Sequence, residues 1–292
     1  MTAASLLFAL GTSLLWGLAD FGGGLLTRRT PALTVVVVSQ SLAVLVLGAV
    51  VLATGALHQA SPRLWFAVAA GAVGPVAMLA FYRALALGPM GVVSPLGSLG
   101  VAVPVGVGLV LGERPGVLQA AGIAVAVVGV VLAGGPQWRG APVQRQAVAL
   151  TLVAAVGFGA VMALIAEAST TVTGLFLALF VQRVTNVTVG GAALWVSIRR
   201  GGTALPEGGG GPRLLLRALP ALAFVGLADV AANGTYATAA RIGPVTVVAV
   251  LASLYPVVTA LAARGVLRER LLGVQAAGAG LALVGTVLLA TG

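Results

Sequence analysis

The sequence contains no cysteine, no lysine and a single histidine, His58, among its 292 residues. Without thiols the chain can form neither a disulfide nor a thiolate metal site, and one histidine cannot build a histidine-based metal centre. We therefore expect no metal ion and no cofactor. Charge is also scarce, because only 8% of the residues are charged, against roughly a quarter in soluble domains. Water is an unsuitable main solvent for such a chain.

Apolar residues make up 60% of the sequence and occur in long runs between isolated charges. The gap from Arg29 to His58 and the gap from Arg83 to Glu113 each exceed the roughly 18 apolar residues that cross the hydrocarbon of a bilayer. The pattern predicts an all-α integral membrane protein with ten transmembrane helices. Their approximate spans are 4–24, 32–54, 64–86, 90–111, 116–134, 146–166, 174–197, 218–240, 243–263 and 272–290.

All 16 basic residues are arginine, and the formal net charge is +10. The arginines fall singly or in pairs between apolar runs and form no basic face, so we expect no nucleic-acid partner. They are more frequent in the loops after odd-numbered predicted helices, which by the positive-inside rule places both termini outside the cytoplasm.

The chain contains an internal repeat. Half of the aligned positions are identical between residues 113–134 and 269–290. Further matches pair Trp16-Gly17 with Phe158-Gly159, Gln40 with Gln182, and Gly88-Pro89 with Gly243-Pro244. We predict two halves, residues 1–138 and 143–292, of five helices each. Because five is odd, the second half enters the membrane from the opposite side, which gives inverted repeats capable of alternating access.

Three motifs give the sequence a resemblance to a known family. They are Leu15-Trp16-Gly17 in predicted helix 1, Ala84-Leu85-Ala86-Leu87-Gly88-Pro89 between helices 3 and 4, and Gly112-Glu113-Arg114 before helix 5. In their order and repetition they resemble the EamA-type members of the drug/metabolite transporter superfamily. The resemblance implies a multi-pass transporter of the plasma membrane, commonly an exporter of amino acids, other metabolites or drugs. It also implies that helices 1–4 and 6–9 line a central cavity, and that both termini lie inside, contrary to the arginine distribution.

The sequence departs from that family at one position. Many relatives place an arginine in helix 2, whereas this chain has Gln40 there and carries its basic residue in helix 7, as Arg183 beside Gln182.

Arg183 and Asp229 are the candidates for chemistry, because a charge in the middle of a membrane span is costly. One hypothesis is that Arg183 binds an anionic group of a solute while Asp229 takes up and releases a proton. The alternative is a structural ion pair between the two. Asp20 in helix 1 is either a second proton site or a polar residue near a helix end.

Other polar residues share helical faces with these charges. Asn186 follows Arg183 by three positions, Asn233 follows Asp229 by four, and Tyr236 continues the second stripe. The remaining candidate substrate-binding residues are Trp16, Gln40, Tyr82, Ser94, Ser98, Gln182, Ser253 and Tyr255.

These features favour a secondary active transporter, an exporter of a small metabolite such as an amino acid or of a drug-like compound. The expected partners are the solute, the lipid bilayer and protons, with the chain as a monomer or a homodimer. An intramembrane enzyme is disfavoured because no serine lies near a usable base and the six acidic residues are scattered. A passive channel or scaffold remains an alternative.

Overall fold

The computed structural model describes residues 3–103, 116–133, 145–168, 171–205, 211–242, 248, 251–252, 254–270 and 273–291. The sequence motifs Gly112-Glu113-Arg114 and Gly243-Pro244, and the candidate residue Ser253, lie outside these described residues.

The described residues form helices joined by short loops and contain no strand. Among the described residues, six helices are long and apolar enough to cross a membrane, which agrees with a helical membrane protein. Ten crossings stay a prediction. Short 3-10 helices cover Ala56–Gln59 and Ser98–Val101. The α-helices are α1 (Ala3–Thr27), α2 (Ala32–Ala53), α3 (Leu64–Leu87), α4 (Met90–Gly97), α5 (Val117–Ala133), α6 (Arg145–Ala168), α7 (Val172–Arg199), α8 (Gly211–Ile242), α9 (Tyr255–Val266) and α10 (Gly273–Thr291).

Two helices differ from the spans predicted from charge spacing, and both contain proline. The predicted span 90–111 is not one regular α-helix, because α4 ends at Gly97, two residues after Pro95, and passes into a 3-10 turn. The predicted span 243–263 contains the start of α9 at Tyr255, with Pro256 in the first turn. A proline lacks a backbone N–H, so it is harmless in a first turn and disruptive in an α-helix interior.

Side-chain contacts between loops define two ends of the helix bundle. At one end Arg28 forms an ion pair with Glu269 at 3.1 Å, and the Thr34 hydroxyl donates to the carbonyl of Ala204 at 2.6 Å. Arg199, Arg200, Arg264 and Arg268 flank the same loops, and we call this the arginine-rich end. At the opposite end Arg63 approaches Glu167 at 3.7 Å. Glu269 therefore pairs with a residue from the first half of the chain and not with a local arginine.

The helices of the two halves exchange partners when they pack. Helix α1 packs against α8 and α9, whereas α6, its counterpart in the repeat, packs against α3 and α4. Helix α2 packs against both α7 and α8, and its counterpart α7 packs against α2 and α3. The counterparts α5 and α10 pack against each other. Each of these contacts between a helix of the first half and a helix of the second half is therefore matched by a contact between the counterparts of the same two helices.

Buried apolar residues are distributed unequally along the bundle. The largest cluster lies toward the arginine-rich end, where Phe21, Val35, Leu85 and Met90 pack together with residues of α6, α8 and α9. Toward the opposite end the buried residues form three smaller clusters, around Ala9 and Ala239, around Val51 and Leu177, and around Ala67 and Ala178. Among the described residues, a continuous core therefore closes the arginine-rich end, and the buried residues toward the other end form separate clusters.

Helices α2 and α8 approach closely because α8 has a glycine at the contact. A Cβ atom at Gly226 would overlap the backbone carbonyl of Ser39. Asp229 follows Gly226 by one helical turn, so this close approach also sets the distance of Asp229 from α2.

We predict that Gly226→Ala lowers the thermal unfolding midpoint of the purified protein, because the added methyl forces α8 away from α2, an overpacking that costs about 1–3 kcal/mol. Gly234→Ala is the matched control, since a Cβ at this position of the same helix meets nothing within 4 Å. Removing a helical glycine without a clash should leave the midpoint unchanged or raise it. Equal midpoints for the two variants would show that the α2–α8 contact is not tight.

Candidate functional site

A cavity of about 670 Å³ lies inside the helix bundle. Residues of α1, α3, α6, α7, α8 and α9 line it, so both halves of the chain contribute. Most of the candidate residues from the sequence lie on its wall, although the roles predicted for them remain predictions. These are Trp16, Asp20, Tyr82, Ser98, Gln182, Arg183, Asn186, Asp229, Asn233, Tyr236 and Tyr255.

Two candidate residues are buried but do not line the cavity. Gln40 is fully buried next to the lining residue Arg183, and its Oε1 accepts a hydrogen bond from the Nη1 of Arg183. Ser94 is fully buried in α4, and its hydroxyl has no hydrogen-bond partner among the described residues. The geometry therefore gives Gln40 a supporting position and gives Ser94 no contact with the cavity.

Arg183 and Asp229 form an ion pair across α7 and α8, with 2.7 Å between Nη2 and Oδ2. Their side chains are only 10% and 19% exposed. An unpaired charge at this depth of a membrane costs about 3 kcal/mol on insertion scales, so each residue neutralises the other. The ion pair foreseen as the structural alternative is present, and both of its residues line the cavity.

Amide side chains complete this polar region. The Nδ2 of Asn233 donates to the backbone carbonyl of Asp229 at 2.7 Å and to its Oδ1 at 3.3 Å. On α7, the Oδ1 of Asn186 and the Oε1 of Gln182 are buried without a hydrogen-bond partner in the described part of the chain. Gly74 makes room for Asn186, because a Cβ there would lie 2.5 Å from its Nδ2. Water or a solute in the cavity can satisfy these acceptors.

Aromatic rings form a second region of the wall. The ring centroid of Trp16 lies 5.9 Å from that of Tyr236 and 6.1 Å from that of Tyr255, the second pair being edge to face. Phe81 packs edge to face against Phe158 at 5.4 Å. Tryptophan and tyrosine combine a large apolar surface with a polar atom, so this region suits a solute with mixed character.

Several lining residues that sequence reasoning missed are repeat counterparts of residues that it found. Extending the alignment of the halves pairs Trp16 with Phe158 and Asp20 with Met162. The same extension pairs Asp229, Asn233 and Tyr236 with Gly74, Met78 and Phe81, and all ten positions line the cavity. Aligning the two repeats could therefore have predicted these apolar lining residues from their polar counterparts. Thr286, which shares a hydrogen bond of 3.1 Å with Ser98, had no such signal.

Because polar residues of one repeat have apolar counterparts in the other, the cavity has one polar wall and one apolar wall. The wall from α1 and α8 carries Asp20, Asp229, Asn233 and Tyr236, whereas the wall from α3 and α6 is apolar except for Tyr82. Thr171, which lines the cavity, is exposed at the N-cap of α7, so the cavity reaches the surface toward the end opposite the arginine-rich one.

No group of three or more His, Asp or Glu side chains in the described part of the chain is arranged to hold a metal ion. The arrangement instead provides a chamber with one charged pair, one further carboxyl group and a set of aromatic and amide side chains, which suits reversible binding of a small molecule.

The model of the EamA-like transporter family matches the chain twice, over residues 3–135 and over residues 145–291. No curated protein matches the chain. Among solved structures, a crystal structure of a protein aligns over 99% of this chain and 98% of its own chain, with a TM-score of 0.57 and 17% sequence identity. At that identity the likeness shows the fold alone.

We predict that Arg183→Gln and Asp229→Asn each lower the unfolding midpoint markedly, because breaking a buried ion pair leaves a charge unpaired at a cost of about 3–5 kcal/mol. The double variant should recover part of this loss, giving a coupling energy between the two sites. Arg63→Gln with Glu167→Gln is the matched control, since that pair is 54% and 64% exposed and is worth about 0–1 kcal/mol. Additive losses for Arg183 and Asp229 would contradict the pairing.

Proposed function

The chain belongs to the EamA-like transporter family, and we propose that it moves a small metabolite or drug-like solute across the plasma membrane by alternating access. The observation that carries this proposal is the cavity: it is lined by both halves and reaches the surface toward one end, while a continuous apolar core closes the arginine-rich end. A through-channel would need an opening at both ends, so this shape favours a carrier over a passive channel.

The exchange of helix partners supports a mechanism with two related states. If residues 1–138 and 143–292 are inverted repeats, the structure of each half can be adopted by the other, and the cavity then opens at the arginine-rich end. The Arg28–Glu269 ion pair and the apolar cluster of Phe21, Val35 and Leu85 would separate in that state. The three smaller clusters at the opposite end would come together.

The solute is expected to be small and amphipathic. Ligand pockets for drug-sized molecules measure roughly 300–1,000 Å³, and the cavity falls in that range. The wall from α1 and α8 offers hydrogen bonds and charge, and the wall from α3 and α6 offers apolar contact. An amino acid with an apolar side chain or a drug-like amine meets both requirements.

Asp229 is the proposed coupling group. While it is ionised it holds Arg183 at 2.7 Å, and a proton on its carboxyl group would weaken that attraction. The freed guanidinium could then bind an anionic group of the solute. Asp20 and Tyr82 also line the cavity, and Asp20 is the proposed second proton site. Loading of the solute and of the proton would thereby depend on each other, which secondary transport requires.

The distribution of arginine suggests the orientation. The arginine-rich end would face the cytoplasm by the positive-inside rule, and both termini would face the other side. In this orientation the open cavity faces outward, which is the releasing state of an exporter.

Counterflow separates a carrier from the alternatives. Thermal-shift screening against metabolites first identifies a stabilising solute, and its labelled form is then exchanged across proteoliposomes containing the purified protein. We predict labelled uptake driven by unlabelled solute inside, because a carrier exchanges bound molecules. An enzyme or scaffold would give no counterflow, and a passive channel would give uptake that does not depend on internal solute.

The variants of the ion pair decide between its two roles. We predict that Asp229→Asn abolishes the pH dependence of counterflow and that Arg183→Gln weakens solute affinity at least tenfold, about 1.4 kcal/mol. The decisive variant is the double one, which should regain stability and still fail to transport. If the double variant transports with wild-type affinity and pH dependence, the pair serves the fold alone.

Cysteine labelling tests the two ends, and the natural chain has no cysteine to remove. Ala60 and Thr203 are exposed residues of loops at opposite ends. We predict that a membrane-impermeant maleimide added to intact cells labels Ala60→Cys, whereas Thr203→Cys reacts only after the membrane is permeabilised. Labelling of both from outside would contradict the topology, and the reverse pattern would contradict the proposed orientation.

A further inference from the structure

The charges on the cavity wall do not balance. The charged residues that line it are Asp20, Arg183 and Asp229, and the last two neutralise each other. Asp20 has neither an ion pair nor a hydrogen bond with any residue that the structure describes. An ionised carboxylate without a partner is costly at membrane depth, so its charge requires a proton or a cation from the cavity.

Three aromatic residues line the cavity near the turn of α1 that precedes Asp20. Trp16 precedes Asp20 by four residues on α1, which places both on the same helical face. The rings of Tyr236 and Tyr255 lie 5.9 and 6.1 Å from the Trp16 ring, and all three line the cavity. The face of an aromatic ring attracts a cation within about 6 Å of its centroid, and tryptophan attracts it most strongly.

Two glycines of α1 bring further groups close to the same face. A Cβ at Gly23, which follows Asp20 by three residues, would overlap the ring of Tyr82. A Cβ at Gly17 would lie 2.6 Å from the backbone carbonyl of Tyr255, so this glycine lets the first turn of α9 pack against α1. Along α1, Asp20 therefore lies between the turn at Gly23, which contacts Tyr82, and the turn that carries Trp16 with its neighbouring rings.

We propose that Asp20 and the rings of Trp16, Tyr236 and Tyr255 form a subsite for an organic cation, so that the transported solute carries an amine or a quaternary ammonium group. This inference rests on the proposed transport function and names the chemical class of its solute. Arg183 is already paired with Asp229 and Gln40, so it does not neutralise Asp20. The Asp20 carboxylate is therefore left to bind either a proton or a cation in the cavity, and a bound organic cation would take the place of that proton. The apolar wall with Met78, Phe81 and Phe158 accommodates the uncharged part of the solute.

Binding to the purified protein tests the subsite without requiring transport. The probes are choline and benzyltrimethylammonium, with 3,3-dimethylbutan-1-ol as the neutral isostere of choline, measured by isothermal titration calorimetry. Both cations should bind, and the neutral isostere should bind about tenfold more weakly or worse, because it lacks the charge that Asp20 and the rings attract. If no cation binds at millimolar concentration, or if choline and its isostere bind equally, the proposal is overturned.

Four variants locate the binding. Asp20→Asn and Trp16→Leu should each weaken benzyltrimethylammonium about tenfold or more, whereas Trp16→Phe keeps a ring and should lose less. Trp195→Leu is the matched control, since Trp195 is 57% exposed on α7 beside Arg199 and away from the cavity. Unfolding midpoints of all variants are measured alongside. Unchanged affinity in well-folded Asp20→Asn would refute the subsite.

The two proposals can fail separately. If the protein binds the cations through Asp20 in detergent, but neither these cations nor any stabilising solute from the thermal-shift screen gives counterflow in proteoliposomes, the carrier function fails and the cation subsite stands. If counterflow of another solute is found and Asp20→Asn leaves both that counterflow and cation binding unchanged, the subsite fails and the carrier function stands.

Discussion

The ion pair between Arg183 and Asp229 is the constraint on which the rest of this structure depends. An unpaired guanidinium is costly in the membrane interior, so the packing of α7 against α8 with these two residues in register stabilises the bundle. Gln40 brings α2 to the same guanidinium, and Asn233 holds Asp229 by two hydrogen bonds. Gly226 allows the approach of α8 to α2 that this arrangement needs. Three helices from both halves thus converge on one pair of charges.

The distribution of the apolar core follows from the cavity. A chamber that reaches the surface at one end leaves fewer neighbours for side chains there, and among the described residues the buried side chains at that end form separate clusters. At the arginine-rich end, residues of α1, α2, α3, α4, α6, α8 and α9 pack as one unit. Opening this end would expose that apolar area unless the smaller clusters joined at the same time. The free energies of the two closures must therefore be similar for a carrier to cycle between them.

Sequence reasoning succeeded where the bilayer sets the length of an element. The predicted spans 32–54 and 64–86 differ from α2 and α3 by a single residue at one end, because charge marks where hydrocarbon stops. It failed at the breaks near Ser98 and Tyr255, since these lie within apolar runs and no charge marks them. The proline residues were visible, but their position relative to the helix start was not.

The polar part of the site was accessible to the same reasoning, because a polar residue in a membrane helix seldom faces lipid. Asp20, Arg183 and Asn233 were found in this way, and all of them line the cavity. The apolar part was not, because Met78 and Met162 are chemically indistinguishable from residues that face lipid. The sequence also left open whether Arg183 pairs with Asp229. The position of a residue along a transmembrane helix does not show which neighbouring helix its side chain faces.

The unlike walls of the cavity have a consequence for the ancestry of such proteins. In a homodimer of identical five-helix subunits, every side chain at the interface would occur in two copies, so two aspartates would face two aspartates. Joining both copies in one polypeptide removes that symmetry, and each position can then mutate alone. Where one copy has Asp20 and Asp229, the other has Met162 and Gly74. Gene fusion therefore permits an asymmetric cavity, which a symmetric dimer of identical subunits of the same size cannot form.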